Sequence, residues 1–138
     1  MKAVLDTNVV HSGLFFGGLP GRVLDAWRED RFTLVLSVPI MTEYREAAAE
    51  FEAVYGGSDF EAFAGLIVMH AEIVDAPEQL PERVCSDSDD DKFLACAMVA
   101  GVRIIVSGDR RLQAVSGWNG IDVVSPRHFL ERYLPESA

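Results

Sequence analysis

Five short apolar runs alternate along the chain with longer stretches whose apolar positions recur at helical spacing. Ala3–Leu5, Phe32–Leu36 and Val102–Val106 are nearly continuous in apolar character and together rich in Val and Ile. That is the pattern of parallel strands covered on both faces. Glu72–Val74 and Ile121–Val124 are weaker runs of the same kind. Between them, Gly21–Arg31 carries Val23, Leu24 and Trp27 on one face. Pro39–Tyr55 sets Ile40, Tyr44, Ala47, Phe51 and Val54 along one stripe, which predicts a long amphipathic helix. Pro39 falls where a first helical turn tolerates proline. Gly56 and Gly57 end that helix, and Ser58 is placed to cap the next, Asp59–His70. Asp89–Ala100 is a further helix, apolar at Phe93, Leu94, Ala97 and Met98 and stopped by Gly101. A short helix follows Asp109, and another runs from about Pro126 to Leu134.

This alternation predicts an α/β fold: a parallel sheet of about five strands flanked by helices. Residues 1–138 are expected to form a single domain, with 135–138 a loose tail. The segment Asp75–Ser88, with Pro77 and Pro81, reads as a surface loop. No internal repeat or low-complexity tract interrupts the pattern. At 138 residues and 49% apolar content the chain can build a true core, and the composition excludes a disordered protein. Its longest apolar stretch, Phe93–Val102, is too short to span a bilayer. The apolar run before Asp6 is only Ala3, Val4 and Leu5, so no signal-peptide core is visible. The two cysteines, Cys85 and Cys96, match neither a zinc nor a C-x-x-C spacing. No membrane association and a reducing cytoplasm are the expectation.

Charge changes the picture more through its distribution than through its total. The net value of −10 argues against a general nucleic-acid binder. From Glu43 to Asp91, however, 14 acids face only Arg45 and Arg83, whereas the remainder carries a net of +2. A nucleic-acid partner would have to meet the arginine-bearing ends, or carboxylates already covered by metal ions. Otherwise the acidic middle is a solvated surface that keeps the chain soluble.

The acids also fall at particular places. In open parallel sheets, sites form beyond the carboxyl ends of the strands. Asp6 directly follows the first strand, and Asp109 follows the Ile104–Val106 strand after Ser107 and Gly108. Glu43 lies in the first turns of the helix leaving the second strand, and Asp89, Asp90 and Asp91 open the helix before the Ile-rich strand. The topology therefore gathers acids from distant parts of the chain at one edge. Each has a plainer explanation taken alone. Acids at a helix start are stabilised by the dipole, typically by about 0.3–1 kcal/mol, and Ser88 with Asp91 resembles a capping box. Together they make a different problem. Like charges 4 Å apart repel by about 4 kcal/mol at an effective dielectric of 20. Such groups must protonate, spread apart or hold cations, and hard divalent ions suit all-oxygen donors. His11, His70 and His128 are widely spaced and read as surface or packing residues.

Four segments carry a family resemblance. Val4-Leu5-Asp6-Thr7-Asn8-Val9-Val10 resembles the opening of PIN-domain proteins. Leu34 to Glu46 is similar to that family's second strand and the helix bearing its acidic residue. Asp87 to Ala97, with Asp91-Lys92-Phe93-Leu94-Ala95, resembles its third acidic motif, and Val106-Ser107-Gly108-Asp109-Arg110-Arg111-Leu112 its fourth. The resemblance implies a PIN-like α/β/α sandwich and a metal-dependent ribonuclease of the kind that serves as the toxin of toxin–antitoxin pairs. By motif, Asp6, Glu43, Asp91 and Asp109 would be the catalytic, metal-binding acids, with Asp89 or Asp90 able to share the role. Thr7, Asn8 and Ser107 would orient the acids or substrate. Lys92, Arg110 and Arg111 are the bases nearest these acids in sequence, and they read either as phosphate contacts or as solvated charges on helix surfaces. One or two Mg²⁺ or Mn²⁺ ions would activate a water for in-line attack on RNA. A cognate antitoxin and a homodimer are the implied protein partners.

Three rivals remain. A haloacid-dehalogenase-type phosphatase needs a second acid two positions after the first, where this chain has Asn8. A phosphoacceptor receiver needs adjacent acids after the first strand and a lysine after the last strands, yet Lys2 and Lys92 are the only lysines. An inactive PIN-like scaffold keeps the fold and loses the chemistry.

Overall fold

Strand burial follows the apolar runs. In the computed structural model, which describes residues 1–57 and 59–135, β1 (Lys2–Leu5), β2 (Thr33–Ser37) and β4 (Ile104–Val106) are buried almost throughout. The weaker runs, β3 (Glu72–Val74) and β5 (Asp122–Val124), lie at the two edges of the sheet, whose order is β3-β2-β1-β4-β5. All neighbours pair in parallel, with Val4 opposite Ile105 and Leu36 opposite Ile73. Continuous apolar sequence thus marks strands buried on both faces, and alternating sequence marks the half-wet edges. The five-stranded parallel sheet flanked by helices is the predicted α/β architecture.

The helices are α1 (Thr7–Phe15), α2 (Gly18–Arg28), α3 (Val38–Tyr55), α4 (Phe60–His70), α5 (Asp91–Ala100), α6 (Arg110–Gln113) and α7 (Pro126–His128). The last continues into a wider turn over Phe129–Tyr133. The sequence pattern misses α1. Its β-branched Thr7, Val9 and Val10 and its Gly13 depress helical propensity. Burial of Thr7, Val9 and Val10, as α1 packs on α2 and α3, overrides that preference. Gly13 is there because α2 comes close: a β-carbon at this position would sit 2.7 Å from Leu24 Cδ1.

Other differences are local. Gly21–Arg31 shifts to Gly18–Arg28, with Val23, Leu24 and Trp27 still buried. In α3, Ile40, Tyr44 and Ala48 reach the core, but Val54 at the end of the expected stripe is 73% exposed. The helix outruns the sheet it packs on. Ahead of α5, Ser88–Asp90 forms a separate 3₁₀ turn, and the cap is Asp87, which accepts the Asp89 amide, not Ser88. Gly101 ends α5 in the left-handed region at φ 69°. The expected cap at Ser58 and most of the tail, 136–138, lie outside the described residues. Among the described residues, no helix is long and apolar enough to cross a membrane.

Candidate functional site

β1 and β4 are neighbours, so their carboxyl ends emerge side by side. The Asp6 amide donates to the Val106 carbonyl at 2.9 Å, which fixes the start of the two following loops together. Ser107 is fully buried between them. Its hydroxyl donates to Asp6 Oδ2 at 2.5 Å and accepts the Asp109 amide at 3.0 Å. One hydroxyl therefore links two acids a hundred positions apart. Asp109 also caps α6, taking the Arg111 amide on Oδ1 at 2.8 Å. Asn8 accepts the Gly108 amide at 3.4 Å, so it ties the Asp109 loop to α1 and is not directed at the acids.

α3 brings the third acid. Tyr44 is buried and donates its phenol to the Leu5 carbonyl at 2.5 Å, stitching the helix to the last residue of β1. Burial, with the Asp6 carboxylate nearby, pushes that phenol well above its ordinary range. The sequence pattern marks Tyr44 only as a core position and does not disclose this bond. Beside it, Glu43 receives the Thr7 hydroxyl on Oε2 and the Lys92 ammonium on Oε1 at 3.0 Å. Lys92 is only 6% exposed. The expected phosphate contact is instead a buried partner of Glu43, because α5 turns position 92 inward with its neighbours Phe93 and Leu94. Arg110 and Arg111 remain exposed at the start of α6, with Arg111 3.7 Å from Asp109.

The three consecutive acids separate into three roles. Asp89 is exposed. Asp91 is 1% exposed, and its carboxylate accepts the Val84 amide at 3.0 Å and the Cys85 amide at 2.8 Å. It closes the loop before α5, and both oxygens are occupied by backbone. The expectation that Asp91 leads the metal-binding set runs against this placement. Asp90 is the member within electrostatic reach of Asp6, Asp109 and Glu43. Its carboxylate takes no hydrogen bond from the described residues.

Burial, with negative charge close by, is visible in the proton affinity of two acids. Burial, reinforced by Glu43 and Asp109 and opposed by the Ser107 hydrogen bond, pushes the Asp6 carboxyl up to about 6. Burial, followed by the nearby Asp6, Asp87, Asp109 and Glu43, pushes Asp90 up to about 7. Both groups bind protons more tightly folded than unfolded. Their contribution to stability is therefore fully present below the ordinary carboxyl range and is lost as pH rises through about 6 to 7. For Asp6 the rise from 3.8 to about 6 corresponds to roughly 3 kcal/mol at most. In chelator, the melting temperature should climb as pH falls from about 8 to about 5. Asp6→Asn should flatten part of that climb, and parallel melting curves for the two proteins would check it. Identical slopes would mean that Asp6 is not the group responsible.

The donors are oxygens throughout, as a hard divalent ion requires. Among the described residues, Asp90 and the second oxygen of Asp109 take no protein donor, and the Asp6 and Asp90 carboxyls are raised first by burial and then by neighbouring negative charge. These features fit an open ion site. They do not form a closed cage: among the described residues, no group of three or more His, Cys, Asp or Glu side chains is drawn together closely enough to hold a metal ion. Both cysteines are buried and free, so thiols take no part. His11 lies edge-on to Phe51, with ring centroids 4.3 Å apart, and serves packing.

A sequence profile described as PIN domain matches residues 2–111, which include Asp6, Glu43, Asp90, Asp91 and Asp109. No curated protein matches the chain.

Proposed function

Because the chain belongs to the PIN-domain family, whose members are in general nucleases that use divalent metals, we propose that it is a divalent-metal-dependent ribonuclease and the toxin half of a toxin–antitoxin pair. The observation that carries the reading is the linkage of Asp6 and Asp109 through the Ser107 hydroxyl, with Asp90 in reach of both. Asp6, Asp90 and Asp109 would hold Mg²⁺ or Mn²⁺. When bound, such an ion stabilises charge on a phosphate and acidifies a coordinated water. The chain's own part is to keep the carboxylates in place. Ser107 fixes the Asp6 oxygen, Tyr44 fixes α3 against β1, and Asp91 fixes the loop that presents Asp90. Arg110 and Arg111, exposed beside Asp109, would meet the phosphate backbone of RNA, which otherwise faces an acidic surface.

A protein partner is supported by an uncovered aromatic patch on α1 and α3, where Phe16 and Tyr55 are each 60% exposed and pack edge to face. An antitoxin encoded by a neighbouring reading frame is the proposed occupant. Co-purification would test it, and light scattering would test the homodimer.

The inactive scaffold is favoured by one observation, the engagement of Glu43 and Asp91 by protein groups. Cleavage-site mapping on total RNA separates the readings. After chelation the purified protein should be silent, and added Mg²⁺ or Mn²⁺ should restore cleavage at discrete sites. Silence with both metals supports the scaffold, and cleavage in chelator refutes the metal assignment.

A further inference from the structure

Among the described residues, the buried Glu43–Lys92 pair has no buried counterpart at the other acids of the site, where the one ion pair, Arg111 with Asp109, is exposed. Each Glu43 oxygen already holds a protein donor, the Lys92 ammonium on Oε1 at 3.0 Å and the Thr7 hydroxyl on Oε2. The ammonium is nearly out of solvent: the Lys92 side chain is 8% exposed and that of Glu43 28%. A lysine is rarely buried to this degree unless paired, since losing water around its charge is costly. Lys92 follows Asp91, whose carboxylate is anchored by two backbone amides, so the backbone from which the lysine side chain projects is held in place. A divalent ion approaching Glu43 would meet a buried positive charge at hydrogen-bond distance from the oxygen it sought. No such obstacle stands at Asp6, Asp90 or Asp109. The cation nearest to them by contact is Arg111, exposed and 3.7 Å from the Asp109 oxygen that also caps α6.

We propose that the Lys92 ammonium stands in the place of a second metal ion, so that the site takes one divalent cation, at Asp6, Asp90 and Asp109, and Glu43 is closed to metal. The inference rests on the metal-dependent reading given above. Lys92 is then a positioning residue: it neutralises Glu43 and confines the ion to the β1–β4 side of the cluster.

Counting bound Mn²⁺ by the paramagnetic resonance of the free aquo ion tests this without reference to cleavage. Wild type should bind one Mn²⁺ per chain. The doubly neutral, nearly isosteric variant E43Q/K92M removes the pair without stranding either charge. It should also bind one, with a dissociation constant within about threefold of wild type, a small change on the free-energy scale. Lys92→Met alone leaves the Glu43 carboxylate uncovered and should admit a second Mn²⁺. Two ions in wild type would overturn the proposal. So would a tenfold or greater loss of affinity in E43Q/K92M, or a count that stays at one in folded Lys92→Met. No binding by wild type at millimolar Mn²⁺ would instead overturn the metal-dependent reading, and this inference with it. Should Lys92→Met fail to fold, the wild-type count and the double variant still decide.

Discussion

Asp6→Asn is expected to lower RNA cleavage by about a thousandfold or more while leaving the fold intact. Losing a single electrostatic contact to a transition state commonly costs a factor of about a hundred to a thousand, and Asp6 does more than make one contact. It supplies negative charge at the end of β1, and its Oδ2 holds the Ser107 hydroxyl that in turn receives the Asp109 amide. Asparagine keeps an acceptor for Ser107, so the Asp6–Ser107–Asp109 linkage should survive. What disappears is the charge that attracts the cation. The same substitution removes a buried carboxylate whose proton affinity is raised. The metal-free variant should therefore melt at or above the wild-type temperature near neutral pH. Single-turnover cleavage rates and melting curves on the same preparations check both halves. A rate within tenfold of wild type would remove Asp6 from the chemistry. A marked loss of melting temperature would mean that its charge is structural.

The frame of this site is legible in the primary sequence because strand ends are legible. Three apolar runs locate β1, β2 and β4, and the parallel rule places the residue after each run at one edge. Asp6 and Asp109 follow directly, since each lies within three residues of a buried strand. What is not legible depends on side-chain direction within a turn. Asp89, Asp90 and Asp91 are chemically identical, and only the 3₁₀ turn over Ser88–Asp90 sends the first to solvent, the second toward the acids and the third to the backbone of the preceding loop. The helix α1 is hidden for another reason. Its local propensity is poor, and it forms because packing on α2 and α3 outweighs that preference. Lys92 escapes for the same reason as Asp91: an exposed charge on a helix and a buried one pairing across 49 positions look alike until the fold is known.

The division of labour between Asp90 and Asp91 can be separated cleanly by substitution. Asp91→Ala leaves the Val84 and Cys85 amides without an acceptor in a site that is almost wholly buried. An unsatisfied buried donor costs about 1–3 kcal/mol, so two of them, together with the lost packing, should destabilise the protein by about 3–5 kcal/mol. That is a large part of the whole stability of an ordinary domain, and the variant should unfold at clearly lower denaturant whether or not metal is present. Asp90→Asn should behave in the opposite way. Asp90 accepts no hydrogen bond from the described residues, and its charge is opposed by Asp6, Asp87, Asp109 and Glu43. Neutralising it relieves that repulsion, so metal-free stability near pH 7 should hold or rise, while Mn²⁺ affinity and cleavage should each fall by at least about tenfold. Denaturant titrations with and without Mn²⁺ resolve the two effects, because only a group that touches the ion changes the metal-dependent increment. If Asp91→Asn, which preserves shape and one acceptor, lost the Mn²⁺-dependent increment while Asp90→Asn kept it, the metal-binding role would return to Asp91. The two backbone amides would then have to release its carboxylate when the ion binds.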